Sequence, residues 1–310
     1  THAYELIHTS DPKELKNMKF DVIVGNPPYQ ISDGGGMGTS AIPLYDKFVL
    51  QAMKLRPRYL SMIIPSRWFS GGKGLDRFRS MMLENQNIRQ LVDYFNAEEC
   101  FPGIDLSGGV CYFLWDRDNK GDCLVTSIRE AKRTEMSRPL LETGTQTFVR
   151  FNEAIAVVRK IAEFDEESFE IIVSARKAFG DITDAEILQE NTTGAVKIYS
   201  YPKRGFILRS KVKQNTDWLD QYKVFISKAY GERGNFPYFV LGKPFIGEPP
   251  SCCSETYLVI GPVNDKYVAQ NIASYIKTKF FRFLVLMKKN TQNAPKGVYS
   301  FVPMQDFSKT

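Results

Sequence analysis

Apolar and polar positions alternate along the first half of the chain in a strand–helix rhythm. Residues 4–8 (YELIH) read as a strand. Residues 11–18 (DPKELKNM) read as a short helix, with Asp11 as N-cap and Pro12 in the first helical position. FDVIVG (20–25) is a near-continuous apolar run, as expected of a buried parallel strand. Residues 43–55 return to helical spacing, with Leu44, Phe48 and either Ala52 or Met53 on one side. YLSMIIP (59–65) predicts another buried strand, 74–85 a helix and 88–95 a strand. Residues 108–129 have the pattern of a hairpin turned at Asp118 to Gly121. Repeated strand–helix units followed by an antiparallel edge predict an α/β, doubly wound sheet.

The texture then changes. A helix is expected over 148–163, and beyond it the chain is strand-rich and irregular, broken by one long helix over 264–289. The boundary is placed near 165, separating a domain 1–165 from a domain 166–310. No internal repeat or low-complexity tract is visible.

Composition narrows the function classes. With 310 residues, 43% hydrophobic and 25% charged, the chain fits one large or two ordinary globular domains. The net charge of +6 is compatible with a polyanionic partner without demanding one. Five cysteines, an odd number without a C-x-x-C pair, favour a reducing compartment over a disulfide framework. The two histidines, His2 and His8, lie at the extreme N-terminus, which disfavours a histidine-based zinc site or a Ser-His-Asp triad. No apolar run approaches the roughly 18 residues of a membrane span. No signal peptide is visible. The chain lacks an initial Met and is expected to be an excised fragment.

The apolar strand 20–25 runs straight into Asn26-Pro27-Pro28-Tyr29. Ligands of open α/β sheets bind beyond the carboxyl ends of the strands. Pro27 restricts Asn26 to an extended conformation, and neither proline has an N–H to donate. The Asn26 side-chain oxygen and the Pro27 carbonyl thus become two adjacent acceptors, and Tyr29 adds an aromatic face. An exocyclic amino group on an aromatic ring fits that set. Two accepted hydrogen bonds would favour a pyramidal nitrogen and free the lone pair for attack on an electrophilic methyl group. Positioning and electrostatics would supply the rate.

Asn-Pro-Pro-Tyr behind an apolar strand resembles the catalytic motif of amino-group DNA methyltransferases, chiefly those acting on adenine N6. The segment from Ser40 to Met82 resembles the motifs that follow it. Residues 137–142, 149–155, 225–234, 255–262 and 280–306 resemble downstream and target-recognition regions of type II restriction-modification proteins. The resemblance implies a partial doubly wound, Rossmann-like methyltransferase sheet followed by an α+β target-recognition domain. It implies S-adenosylmethionine as cofactor, double-stranded DNA as partner and a prokaryotic cytoplasmic setting.

In the family's order, a glycine-rich cofactor loop precedes the catalytic motif. Here the 25 residues ahead of Asn26 contain Gly only at position 25, within the strand itself. The principal cofactor pocket is therefore expected in a missing amino-terminal part, and this fragment alone is expected to be inactive. Cofactor contacts fall to Asn26 and to Asp11, for which an N-cap role is the alternative. Residues 33–38 (DGGGMG) suit a loop over an extruded base, but Thr39 stands where a phosphate loop needs its third glycine.

Trp115 and Phe113 are the candidates for a second aromatic against the flipped base, core packing being the alternative. Arg67 and Lys73 suit phosphate contact near a strand end and a helix start. Lys203, Arg204, Lys288, Lys289, Asn290, Gln292 and Lys296 mix cations with amides in two loops, which suits duplex binding; ordinary exposed loops are the alternative. Two other functions stay open: methylation of protein glutamine side chains, whose planar amide poses the same problem, and a non-catalytic DNA-specificity module. Cytosine N4 is a further acceptor with the same electronics.

Overall fold

A computed structural model describes residues 19–31, 42–70, 74–104, 106–230, 240–289 and 292–309. The strand and helix expected over 4–18 lie outside them. The chain divides into two compact units, 1–159 and 160–310.

The first unit is built on a six-stranded mixed sheet. Strand β1 is Val22–Gly25, and a two-stranded hairpin follows from β2 (Gln30–Ile31) and β3 (Ile42–Pro43). Helix α1 is Tyr45–Lys54, β4 Tyr59–Pro65, α2 Asp76–Leu83, β5 Ile88–Tyr94, β6 Val110–Asp116, β7 Cys123–Arg129 and β8 Lys132–Arg138. The sheet order is β1-β4-β6-β5-β7-β8. β1 and β4 are parallel, β6 is antiparallel to both β4 and β5, and β7 is parallel to β5.

The expected hairpin over 108–129 does not form. β5 lies between β6 and β7, and 117–122 is the loop that carries the chain past it. Periodicity identifies both strands and the turn residues. It cannot show that the preceding strand takes the place beside β6. Asn87 fixes the crossing: its amide donates to the carbonyls of Asp116 (2.8 Å) and Arg117 (3.0 Å).

Every second residue of the sheet faces one core. Leu60, Met62 and Ile64 of β4, Leu91 of β5, Cys111, Phe113 and Trp115 of β6 and Val125 of β7 meet Tyr45, Val49 and Ala52 of α1 and Phe78 and Met82 of α2. The buried stripe of α1 thus runs through Tyr45 and Val49 rather than Leu44 and Phe48, although Leu44 is also buried. β1 departs from the expected buried strand. It stands at the sheet's edge, with Ile23 toward the core and Val22 and Val24 54% and 74% exposed on the other side. That other face also exposes Tyr112 and Leu124.

The helix expected from 148 begins later, as a 3-10 turn at Asn152–Ala154 followed by α3 (Ile155–Glu163). Residues 147–150 are instead buried and lie outside any helix or strand.

In the second unit, β9 (Ala195–Tyr199), β10 (Gly205–Leu208) and β13 (Ser251–Cys253) form one three-stranded sheet. β11 (Tyr222–Ser227), β12 (Phe245–Gly247) and β14 (Tyr257–Val263) form another. Val196, Ile198, Ile207, Phe225, Cys252 and Val259 share a core. Gly247 permits the β11–β12 pairing, since a Cβ there would lie 2.2 Å from the Phe225 ring.

The expected helix 264–289 is two helices, α4 (Lys266–Lys277) and α5 (Lys279–Lys288). Thr278 separates them. It is extended (φ −64°, ψ 151°), its hydroxyl donates to the Tyr275 carbonyl (2.7 Å) and accepts from the Phe281 N–H (3.1 Å). One side chain thus closes one helix and caps the next. Among the described residues no helix is long and apolar enough to cross a membrane.

Candidate active site

β1, β4 and β5 run in the same direction, so their carboxyl ends share one edge of the sheet, where antiparallel β6 begins. Asn26–Tyr29 leaves β1 at this edge. Ser66–Phe69 leaves β4 there as a 3-10 turn, and 95–109 links the end of β5 to the start of β6. Asn26 is exposed, Pro27 buried, Pro28 exposed and Tyr29 half-buried. The Leu44 N–H donates to the Tyr29 carbonyl (3.2 Å), and the β2–β3 pair continues that closure. The turn is therefore pinned from behind while Asn26 faces outward.

The Tyr29 hydroxyl is buried and has no hydrogen-bond partner among the described residues. Burial pushes its pKa up, and the nearby Cys100 and Cys111 thiols add to the rise. The neutral phenol is thus the form held here, an aromatic surface rather than a charge. Tyr45 lies in similar surroundings: its hydroxyl is buried, and burial and Cys111 raise it. Burial, reinforced by Asp93, pushes the Cys111 thiol up to about 12, so it is an inert wall and not a nucleophile.

A buried ion pair sits under this edge. Arg150 Nε and Nη2 donate to the two Asp93 carboxylate oxygens at 2.6 and 2.7 Å, and the Ser66 hydroxyl donates to Asp93 at 2.8 Å. The Arg150 guanidinium also lies 4.0 Å from the Phe95 ring centroid. The ends of β4 and β5 are thereby tied to the segment 147–150. Gly109 completes the junction. Its φ is +81°, and a Cβ there would lie 2.0 Å from the Tyr94 carbonyl oxygen.

The expected second aromatic is not on β6. Phe113 is fully buried between Met62 and Leu91, and Trp115 is 9% exposed in the same core. Odd positions of β6 face the helices, so neither ring has a face to offer. The 95–109 loop at this edge carries two half-buried aromatics, Phe95, which packs on Arg150, and Phe101. The Phe-Pro-Gly context of Phe101 after a predicted strand is a signal in the sequence.

Arg67 is exposed on the 3-10 turn at the end of β4. Asp11, Lys73 and Asn290 lie outside the described residues. In the second unit Lys203, Arg204 and Gln292 are exposed and Lys296 half-buried. Lys289 is only 4% exposed, and its ammonium donates to the Tyr230 carbonyl (3.3 Å). Lys288 bonds Ser300 and lies 5.1 Å from the Phe301 ring. Lys289 thus serves internal packing rather than an open surface, and Lys288, on the last turn of α5, is half-buried.

The edge of this mixed α/β sheet presents Asn-Pro-Pro-Tyr. Residues 1–101 match the family described as Eco57I restriction-modification methylase. An uncharacterized adenine-specific methylase of Mycoplasma pneumoniae is 37% identical over 147 residues, 44% of this chain and 35% of the relative. The type II restriction enzyme and methyltransferase RM.Eco57I of Escherichia coli is 25% identical over 228 residues, 66% of this chain and 22% of the relative. The chain thus spans about a third or less of these relatives. The fold resembles that of the type IIL restriction-modification enzyme MmeI, solved in complex with DNA, with a TM-score of 0.52 at 9% identity. The match covers 94% of this chain and 46% of MmeI.

Proposed function

We propose that the first unit is the amine-binding half of an adenine-N6 DNA methyltransferase active site, and that the second unit selects the DNA sequence within a restriction-modification system. The observation that carries this is Asn26, exposed at the carboxyl end of a parallel strand, with Pro27 buried behind it and Tyr29 half-buried beside it. The names of two relatives, an uncharacterized adenine-specific methylase and a type II restriction enzyme and methyltransferase, and the DNA complex of a protein of like fold, support it.

The target adenine must leave the base stack to reach this edge, because N6 cannot be approached in line within a duplex. Asn26 Oδ1 and the Pro27 carbonyl accept hydrogen bonds from the two N6–H groups, and the Tyr29 ring stacks on the base. Phe101, on the neighbouring loop, is the second aromatic. S-adenosylmethionine supplies the electrophilic methyl group when bound. Asn26 would share in holding it, with Asp11 as the other candidate. The principal cofactor-binding loop is assigned to a further part of the enzyme. The exposed Val22 and Val24 on the edge strand β1 suit such an addition. Alone, the chain binds cofactor weakly and transfers no methyl group.

The test supplies the upstream segment in trans and measures transfer of labelled methyl groups to duplex DNA. Wild type should methylate adenine. Asn26→Ala should lose well over about tenfold in rate, as expected for removal of a transition-state hydrogen-bond acceptor, with DNA binding intact. Activity surviving within about tenfold would remove Asn26 from the mechanism.

A further inference from the structure

A cleft of about 360 Å³ opens in the second unit, lined by Asn191, Lys197, Tyr199, Phe206, Glu248 and Pro250, among others. One wall is the outer face of the β9–β10 pair, on which Lys197 and Phe206 are cross-strand partners. The Lys197 ammonium lies 5.0 Å from the Tyr199 ring centroid, so cation and ring form one surface. The opposite wall is the link from β12 to β13. Its one carboxylate, Glu248, accepts from Lys266 at 2.5 Å, and that ammonium holds it below the usual carboxylate range. Lys197 adds to that lowering, so the one carboxylate is shared between two ammonium groups.

The β9 strand leads from this cleft directly into the hairpin turn 200–204. Tyr201 there is 74% exposed, and Lys203 and Arg204 are exposed beside it. The Lys203 ammonium makes a long contact, 3.4 Å, to the Asp184 carbonyl. The cleft and the turn that follows it thus carry between them three cations, an exposed phenol and a primary amide, and the cleft's own carboxylate is paired with Lys266.

We propose that this surface contacts duplex DNA. Lys197, Lys203 and Arg204 hold the phosphates of one strand across the cleft mouth. Tyr201 enters the adjacent groove, and Asn191 reads a base edge there. Cations at spaced positions neutralise phosphates irrespective of sequence. A carboxamide can both donate to and accept from an adenine edge. The inference rests on the reading of the second unit as the DNA-selecting part, and assigns that role to a surface.

The experiment measures binding of the full chain to a pool of random-sequence duplexes across a salt series, then sequences the bound fraction. The double variant Lys203→Glu, Arg204→Glu should bind about tenfold or more weakly, and the dependence of log affinity on log salt should flatten by about two, one per phosphate contact. Asn191→Ala should keep the salt slope and change the selected sequences. Circular dichroism and thermal unfolding should be unchanged in both, since all three residues are exposed. Wild-type binding with unaltered affinity and slope in the double variant would overturn the surface assignment and leave the second unit's role standing. No binding of any duplex by the wild-type chain would overturn that role itself.

Discussion

Lys223 of β11 is fully buried, and its ammonium donates to the carbonyls of Leu219 (3.4 Å) and Ser251 (3.0 Å) and to the Ser251 hydroxyl (3.2 Å). No carboxylate is among these partners. Burial lowers its pKa to about 8. Below pH 8 the folded and unfolded states both carry the proton, and the full cost of burying the charge is present. Between about 8 and the ordinary lysine value near 10.4, the folded state has released its proton while the unfolded state still holds it. Stability therefore rises with pH across that window. Denaturant unfolding of the wild type should gain up to about 3 kcal/mol there. Lys223→Met should lack that increment, so the difference between the two proteins should shrink or grow with pH only within the window. Parallel pH profiles would show that Lys223 does not titrate as described. Nothing in the local sequence YKVFIS marks this lysine as buried; Leu219 lies just ahead of it in the chain, but Ser251 comes from the distant strand β13.

At the scale of elements, the edge that carries the candidate site is held by a pair joining the end of β5 to the segment before α3. Removing Arg150 leaves the Asp93 charge buried without its partner, which typically costs about 3–5 kcal/mol, whereas an apolar replacement of both partners is often near neutral. Arg150→Met should thus destabilise the first unit far more than the double variant Asp93→Leu, Arg150→Met, measured by chemical denaturation. Equal losses would assign the effect to packing of the Arg150 stem against Phe95 and Phe69. Elements also show where sequence reading succeeds and fails. The strands 59–65 and 88–95 and the helices after residues 44 and 75 were legible because their periodicity is local. The split at Thr278 was not, since the run KTKFFRF keeps helical spacing while the hydroxyl of Thr278 takes over backbone partners on both sides.

For the whole molecule, each unit has a separate hydrophobic core. Large-to-small changes in a packed core typically cost about 3–5 kcal/mol for phenylalanine. Scanning calorimetry should therefore resolve which unit each change weakens. Phe113→Ala should lower a transition belonging to the first unit, and Phe225→Ala one belonging to the second. A single transition shifted equally by both would mean that the units unfold together.

The order of strands and helices, and the chemistry of a donor-free turn at a strand end, were decided by sequence alone, because both depend on backbone restrictions within a few residues. Asn26, Pro27 and Tyr29 could be singled out for that reason. Tertiary structure decided which strand lies beside which, and so removed Phe113, Trp115 and Lys289 from the accessible surface. Pairing order and burial depend on contacts between residues far apart in the chain, and a local pattern of apolar positions is the same whether the strand is inserted, central or exposed at an edge.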